Sequence, residues 1–355
     1  MAYFISFLDQ KTKKAKTDVV TEFTRKNLDY IDAMLPHIYK LYVEAEKILS
    51  QGDISKRYRT TYIPKSSGGK RRIDEPIDEE LKIYMKNVVN VFTNKLQLIF
   101  PPSAYAYIKG RNNKQMAEAH KGNRMILKVD IKNFFPNCTL KLILDSMLTV
   151  YPFCVMDIDV LETIVKACMI EYNGEYGLPQ GAPTSPILSN IAMIPVDYAL
   201  MQYCNEKQVY TRFADDIYIS YRSSKYYTSE LKYKPAGIES ILQHHNPKFR
   251  LNTDKTHLVS FSKEKGIWIT GIMLNSNNDI TIGYKTKKRM KAIIWSFLMD
   301  SKNKKYWSKE EIYKMLGVVG YWKYIEPKYV ELIIQRYETK TGMNYQKEID
   351  NICFK

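Results

Sequence analysis

Cysteine is scarce in this chain, and what there is shows no pairing. Cys138, Cys154, Cys168, Cys204 and Cys353 are scattered, with no Cys-x-x-Cys spacing. That speaks against a zinc ribbon and against a disulfide framework. Histidine is as sparse, with five residues and no ligand spacing; the adjacent pair His244-His245 reads as a helix end. No apolar run approaches the ~20 residues needed to cross a bilayer, so no membrane partner is expected. Met1 to Leu8 is short, and Asp9 and a lysine cluster follow it, a pattern unlike a secretory leader. The chain reads as cytoplasmic and reduced. Internal repeats and low-complexity tails are also missing, which removes solenoids and disordered arrays.

Negative charge is in deficit too. Asp and Glu number 38 against 54 Lys and Arg, a net charge of +16. Such an excess predicts a polyanionic partner, bound through release of condensed counterions. The 28 tyrosines can stack on bases as well as fill cores. At 355 residues, 45% hydrophobic and 26% charged, the chain is globular and long enough for two or three packed subdomains.

Against this background one local concentration of acid stands out. Asp215 and Asp216 lie at the centre of Tyr-Thr-Arg-Phe-Ala-Asp-Asp-Ile-Tyr-Ile-Ser (210–220), flanked by apolar and β-branched residues. The pattern reads as a hairpin with two acids at its tip. Like charges side by side repel, and a divalent cation is the natural reason to hold them there. Hard carboxylate oxygens suit Mg²⁺, which shares its coordination sphere with substrate phosphates.

Periodicity and turn residues lay out the rest. Residues 1–50 read as helical. A strand, glycine turn and strand span 57–76, with Lys65, Arg71 and Arg72 at or beside the turn. A helix is expected over 79–99, stopped by Pro101-Pro102, and an apolar strand over 124–130, ending in Asp130. Helices are expected at about 139–150 and 157–171, a loop over 177–186, a helix over 187–205, another over 236–245, a strand pair within 256–284, and helices over 285–341. The lysines of 223–236 read as a solvated insertion. Strand, helices, hairpin, helix, strand is close to a split βαβ arrangement. It would set Asp130 facing Asp215 across a sheet, where two metal ions about 3.5–4 Å apart could be bridged. Because successive strand positions point to opposite faces, Asp215 is expected to carry the main metal role and Asp216 a supporting one. The backbone carbonyl of Ile131 is a further candidate ligand.

Three motifs, in order, resemble those of reverse transcriptases. Phe213-Ala214-Asp215-Asp216 is similar to the Tyr/Phe-x-Asp-Asp box. Val129-Asp130-Ile131-Lys132-Asn133-Phe134-Phe135-Pro136 is similar to the first catalytic-acid motif. Gly177-Leu178-Pro179-Gln180-Gly181-Ala182-Pro183-Thr184-Ser185-Pro186 is similar to the Leu-Pro-Gln-Gly-x-x-x-Ser-Pro motif. An isolated Asp-Asp pair would be weak; three ordered motifs are specific. The resemblance implies an α+β right-hand polymerase with fingers, a split-βαβ palm and a small helical thumb. Its segments would be 1–50 (N-terminal helical), 51–123 (fingers), 124–265 (palm), 266–284 (primer-grip hairpin) and 285–355 (thumb).

It further implies that Asp130, Asp215 and Asp216 are catalytic and bind two Mg²⁺, with Mn²⁺ as an alternative. Lys65, Arg71 and Arg72 would hold the triphosphate of the incoming dNTP; alone, they would read as a solvated hairpin. Phe135 would be the gate against a ribose 2′-hydroxyl, and Gln180, Gly181 and Ala182 the loop under the nascent base pair. Lys255 would protonate leaving pyrophosphate, and Ile269, Thr270 and Gly271 would form the primer grip. Residues 112–120 resemble the retron Asn-Ala-x-x-His element, with Met116 where Asn is usual, and Ile269-Thr270-Gly271 the retron Val-Thr-Gly element. His120 reads as a hydrogen-bonded structural histidine. The retron resemblance implies a cognate structured noncoding RNA as template and primer, a single-stranded DNA product, priming from an internal 2′-hydroxyl, and an effector or toxin partner in anti-phage defence. A related reverse transcriptase without branched priming is one alternative. An RNA-binding scaffold that has lost catalysis is another, although a decayed palm should have lost an acid and all three are present.

Overall fold

The computed structural model describes residues 13–353 apart from 65–67, 97, 124, 222–227, 261–265, 276 and 278, and leaves the side chains of 13–28 and 228–233 undescribed. In chain order the elements are α1 (Lys13–Ser50), β1 (Tyr58–Pro64), β2 (Lys70–Pro76), α2 (Glu79–Asn90), α3 (Asn113–Ala119), β3 (Met125–Asp130), α4 (Phe134–Asn137), α5 (Leu140–Met147) and α6 (Ile158–Lys166). There follow β4 (Ile170–Tyr172), β5 (Glu175–Gly177), α7 (Ser185–Ala192), α8 (Ile194–Tyr203), β6 (Gln208–Phe213), β7 (Asp216–Tyr221), α9 (Thr228–His245) and β8 (His257–Ser260). The chain closes with β9 (Ile267–Ile269), β10 (Ile272–Leu274), β11 (Ile280–Thr281), α10 (Tyr284–Lys302), α11 (Lys309–Ile325), α12 (Pro327–Thr341) and α13 (Tyr345–Cys353). The fold is α+β. It divides into two compact units, residues 1–101 with 133–196, and residues 102–132 with 197–355.

In the first unit, Met34, Ile38, Leu41, Ala45 and Ile48 recur at alternating intervals of four and three, and all are buried. That stripe packs α1 against α2 and α6. Asp78 caps α2, its carboxylate accepting the Leu81 N–H at 2.8 Å. The Tyr84 hydroxyl then donates to the Ile164 carbonyl of α6 at 2.8 Å. Strands β1 and β2 form an antiparallel ribbon in which Thr60 pairs with Asp74 and Tyr62 with Arg72. The helix expected over 79–99 gives way at Val91 to a π turn. That over 157–171 ends at Lys166, and Ile170–Tyr172 is a strand instead. The helix expected over 187–205 is two, parted at Met193, just before Pro195, whose missing N–H cannot continue the hydrogen-bond ladder.

In the second unit a four-stranded antiparallel sheet runs β6-β7-β3-β8. Strands β3 and β6 are therefore parallel with β7 between them, and β7 and β8 are parallel with β3 between them. This is a split βαβ arrangement used twice. The apolar run Met125–Val129 suits its central place, where all but Lys128 are buried. A second sheet, β11-β10-β9, and helices α10–α13 share a core built on Ile269, Leu274, Met290, Phe297, Trp322 and Ile333. The expected strand pair within 256–284 is thus β8 plus a separate three-stranded meander. Met116 of α3 is fully buried in that core, which explains an apolar side chain at that position of the element. The lysines of 223–236 fall partly outside the described residues, and Lys234 is not solvated. It is buried, donates to the Tyr203 carbonyl at 2.9 Å and lies over the Tyr203 ring. Among the described residues no helix is long and apolar enough to cross a membrane.

Candidate functional site

The hairpin of β6 and β7 turns through Ala214 and Asp215, with Ala214 in the left-handed region at φ 55°. The two acids lie at its tip, as expected. The register corrects one detail: Asp130 pairs with Asp216, not Asp215. Asp215 sits one residue earlier in the turn, where its carbonyl accepts the Ile131 N–H at 3.1 Å. That bond ties the turn to the end of β3. The three acids share one field. Burial, then Asp216, then Asp130 push the Asp215 carboxyl up to about 6. Burial also raises Asp216, against the opposing pull of Lys128.

Two lysines answer this charge. Lys128 of β3 reaches Asp216 at 2.9 Å across the ladder. Lys255, at the end of a 3₁₀ turn, donates to Asp130 Oδ1 at 2.8 Å, and Asn252 Nδ2 donates to Oδ2 at 3.2 Å. Among the described residues no group of three His, Cys, Asp or Glu side chains is already assembled as a metal cage. The donor chemistry nevertheless fits a hard divalent cation: the acids are oxygen ligands only, and one carboxyl is raised by burial and then by two like neighbours, whose repulsion a dication would offset.

Sequence reasoning missed the supports of this tip. Arg212, 1% exposed, meets Asp197, 0% exposed, in a bidentate pair with Nε–Oδ1 and Nη2–Oδ2 both 2.7 Å. The Tyr210 hydroxyl adds a bond to Asp197 at 2.6 Å, and Arg212 Nη1 donates to the Ala214 carbonyl at 3.1 Å. A buried ion pair thus braces the turn itself. Tyr107 holds a left-handed φ of 59°, unusual for an aromatic, and both burial and Asp215 raise its hydroxyl pKa. Nothing in its local sequence marks it.

The turn Thr270-Gly271 has positive φ at both residues, 44° and 83°, as a two-residue hairpin requires. Its Thr270 N–H donates to the Tyr218 hydroxyl of β7 at 3.3 Å, and its carbonyl accepts from Asn113 Nδ2 at 3.1 Å. Asn113 also donates to the Tyr321 hydroxyl at 2.7 Å. His120, fully buried at the end of α3, bonds Ser220 through Nδ1 and Thr211 through Nε2, both at 2.6 Å. One short helix therefore joins the β9–β10 turn, α11 and the acid-bearing strands. Burial pushes His120 down to about 3.

The remaining candidates lie in the first unit, apart from Lys65, which is outside the described residues. Arg72 donates through Nε to Asp74 at 2.8 Å, and Arg71 is exposed. The Asp74 N–H donates to the Gln180 carbonyl at 2.8 Å, and the Leu178 N–H to the Phe135 carbonyl at 3.1 Å. Gly181 lies at φ 131°, and a Cβ there would come within 3.0 Å of the Asp74 carbonyl oxygen. Ala182 is buried beside it. Arg72, the Gln180–Ala182 loop and Phe135 are joined in this way.

The family described as reverse transcriptase (RNA-dependent DNA polymerase) matches residues 63–319. The chain is 25% identical over 319 residues to the retron Ec83 reverse transcriptase of Escherichia coli, covering 87% of this chain and 96% of that one. It is 27% identical to the retron Ec73 reverse transcriptase of the same organism, covering 88% and 99%. A Candida albicans telomerase structure shows a TM-score of 0.45 at 12% identity, with 84% of this chain and 61% of that chain covered. The chain belongs to the reverse transcriptase family. Within it the chain is of the bacterial retron type, an RNA-directed DNA polymerase.

Proposed function

We propose that this polymerase copies a cognate structured noncoding RNA into single-stranded DNA, and that Asp130, Asp215 and Asp216 hold two divalent cations, Mg²⁺ or Mn²⁺, for nucleotidyl transfer. The convergence of these three carboxylates on the adjoining ends of β3 and β7 supports this reading above all. Bound cations would activate the attacking hydroxyl and neutralise the leaving pyrophosphate. Asp215 is the principal ligand, because Lys128 neutralises Asp216 within the protein. The Ile131 carbonyl is a further ligand. Lys255, whose Nζ donates to Asp130 Oδ1 at 2.8 Å, is the proton source for pyrophosphate.

Residues 51–123 act as fingers, 124–265 as palm, 266–284 as primer-grip hairpin and 285–355 as thumb. Lys65, Arg71 and Arg72 hold the triphosphate, Phe135 gates the sugar, Gln180–Ala182 underlie the base pair, and Ile269–Gly271 grip the primer. On α10, Lys287 is engaged by Glu326 and Tyr329, and Lys291 by Tyr329. Lys285, Lys288 and Arg289 stay exposed on one helical face, suited to the phosphates of an RNA-containing duplex. The retron relationship supports branched priming and a role beside an effector in anti-phage defence. The test is dNTP incorporation on the cognate RNA with Mg²⁺. Asp215→Asn should lose on the order of a hundredfold or more in rate. Equal rates would overturn the assignment.

A further inference from the structure

Asp74 is an unheralded acid in an exposed ribbon, yet it is 1% exposed. Its neighbours on β2, Arg72 and Glu75, are exposed. Burying an ionised carboxylate is costly unless each oxygen is satisfied. Here each is. Oδ1 accepts from Thr60 Oγ1 at 2.7 Å and from Arg72 Nε at 2.8 Å. Oδ2 accepts from the Tyr172 hydroxyl at 2.9 Å. Thr60 is its cross-strand partner on β1, Arg72 lies two residues along the same face, and Tyr172 comes from β4. The Asp74 backbone reaches further, with its N–H on the Gln180 carbonyl and its own carbonyl against Gly181.

The consequence lies at Arg72. A guanidinium has five N–H donors in a rigid fork. Asp74 takes the Nε donor, and the Tyr172 ring lies 4.9 Å from the guanidinium carbon. Among the described residues no partner takes the four terminal donors, which are left for an anion, on a side chain that is still 43% exposed. An arginine held at its neck and stacked on its face needs little further ordering to meet a phosphate in two-pronged fashion. The same carboxylate residue fixes the backbone of the Gln180–Gly181 loop.

We propose that Asp74 is a positioning residue for the incoming nucleotide: it orients Arg72 toward the triphosphate and anchors the loop under the nascent base pair. The inference rests on the reading of Arg72 and Gln180–Ala182 as nucleotide contacts. Asp74 touches no substrate, so its loss should appear in nucleotide binding rather than in the chemical step.

The test is steady-state dNTP incorporation by the full chain on its RNA, with inorganic pyrophosphate as a product-inhibition probe. Asp74→Asn, nearly isosteric, should raise KM for dNTP on the order of tenfold and weaken pyrophosphate inhibition in parallel, with kcat held within about twofold. Tyr172→Phe removes one hydroxyl and spares the fold should Asp74→Asn not fold; it should raise KM about threefold. Arg72→Gln should raise KM as well, and Asp74→Asn combined with Arg72→Gln should be no worse than Arg72→Gln alone. If Arg72→Gln raises KM while Asp74→Asn and Tyr172→Phe do not, the positioning role is refuted and the nucleotide site stands. If Arg72→Gln leaves KM unchanged, the nucleotide reading itself fails. Strictly additive effects, or a lowered melting temperature with KM unchanged, would reduce Asp74 to a structural residue and overturn the proposal.

Discussion

Replacing Asp197 by Ala strands the Arg212 guanidinium in the interior beneath the acid-bearing turn. Both side chains are essentially inaccessible, and Asp197 receives three short bonds of 2.6–2.7 Å from Tyr210 and Arg212. Solvent cannot step in for the missing carboxylate, so the cost is that of an uncompensated buried charge, about 3–5 kcal/mol. Equilibrium urea unfolding followed by circular dichroism measures it. Combining Asp197→Leu with Arg212→Met should recover most of that stability, because apolar side chains of similar volume replace a buried ion pair at little net loss. Activity should not recover with it. Arg212 Nη1 also bonds the Ala214 carbonyl at the turn. Losing one such bond, about 1 kcal/mol, corresponds to about fivefold in kcat if it holds Asp215 in place. A cost below about 1 kcal/mol for Asp197→Ala would refute the buried-charge reasoning. Full activity in the double variant would refute the bracing role of Arg212.

Further outcomes follow from the same geometry. His120 stays neutral in the fold down to about 3 but titrates at an ordinary 6.5 when unfolded. The unfolded chain thus binds the proton first, and the stability due to this residue is complete above pH 6.5 and drains away as pH falls toward 3. At pH 5 the loss should be about 2 kcal/mol, and His120→Gln should remove that share of the pH slope in urea unfolding; identical slopes would sink the assignment. Lys128→Met removes the cation that holds Asp216 down. The acidic limb of the pH–rate profile should then move to higher pH, and an unmoved limb would show that Lys128 does not govern the acids. Gly181→Ala places a Cβ against the Asp74 carbonyl at a backbone angle that L residues rarely adopt. A loss of about 1–3 kcal/mol with a raised KM for dNTP is expected, and wild-type behaviour would contradict the close approach.

The acid-tipped hairpin was legible because its signals are local. Apolar and β-branched residues flank a two-residue turn, and a largely apolar strand ends in Asp130. The helix expected over 187–205 broke at Met193 because a proline outweighed an otherwise helical pattern. The sequence pattern sets Asp130 opposite Asp215, but hairpin geometry alone does not set the offset of a third strand. That offset comes from the β3–β7 register, and it selected Asp216. The company Lys234 keeps in sequence predicts a solvated side chain, but the Tyr203 ring and carbonyl bury it.

Composition and short-range pattern by themselves determined that this chain is strongly basic, that it carries three acids on strand ends and a turn, and that its motifs stand in reverse transcriptase order. These properties depend on residue type and on spacing along the chain, and both can be read without coordinates. Tertiary structure alone decided which charge answers which. Lys128 meets Asp216, Lys255 meets Asp130 from 125 positions away, Arg212 meets Asp197, and Tyr172 meets Asp74 from 98 positions away. An ion pair or a buried hydrogen bond is a matter of a few ångströms in space. Sequence separation carries no record of that distance, so these partners appear only when strands and helices have been brought together.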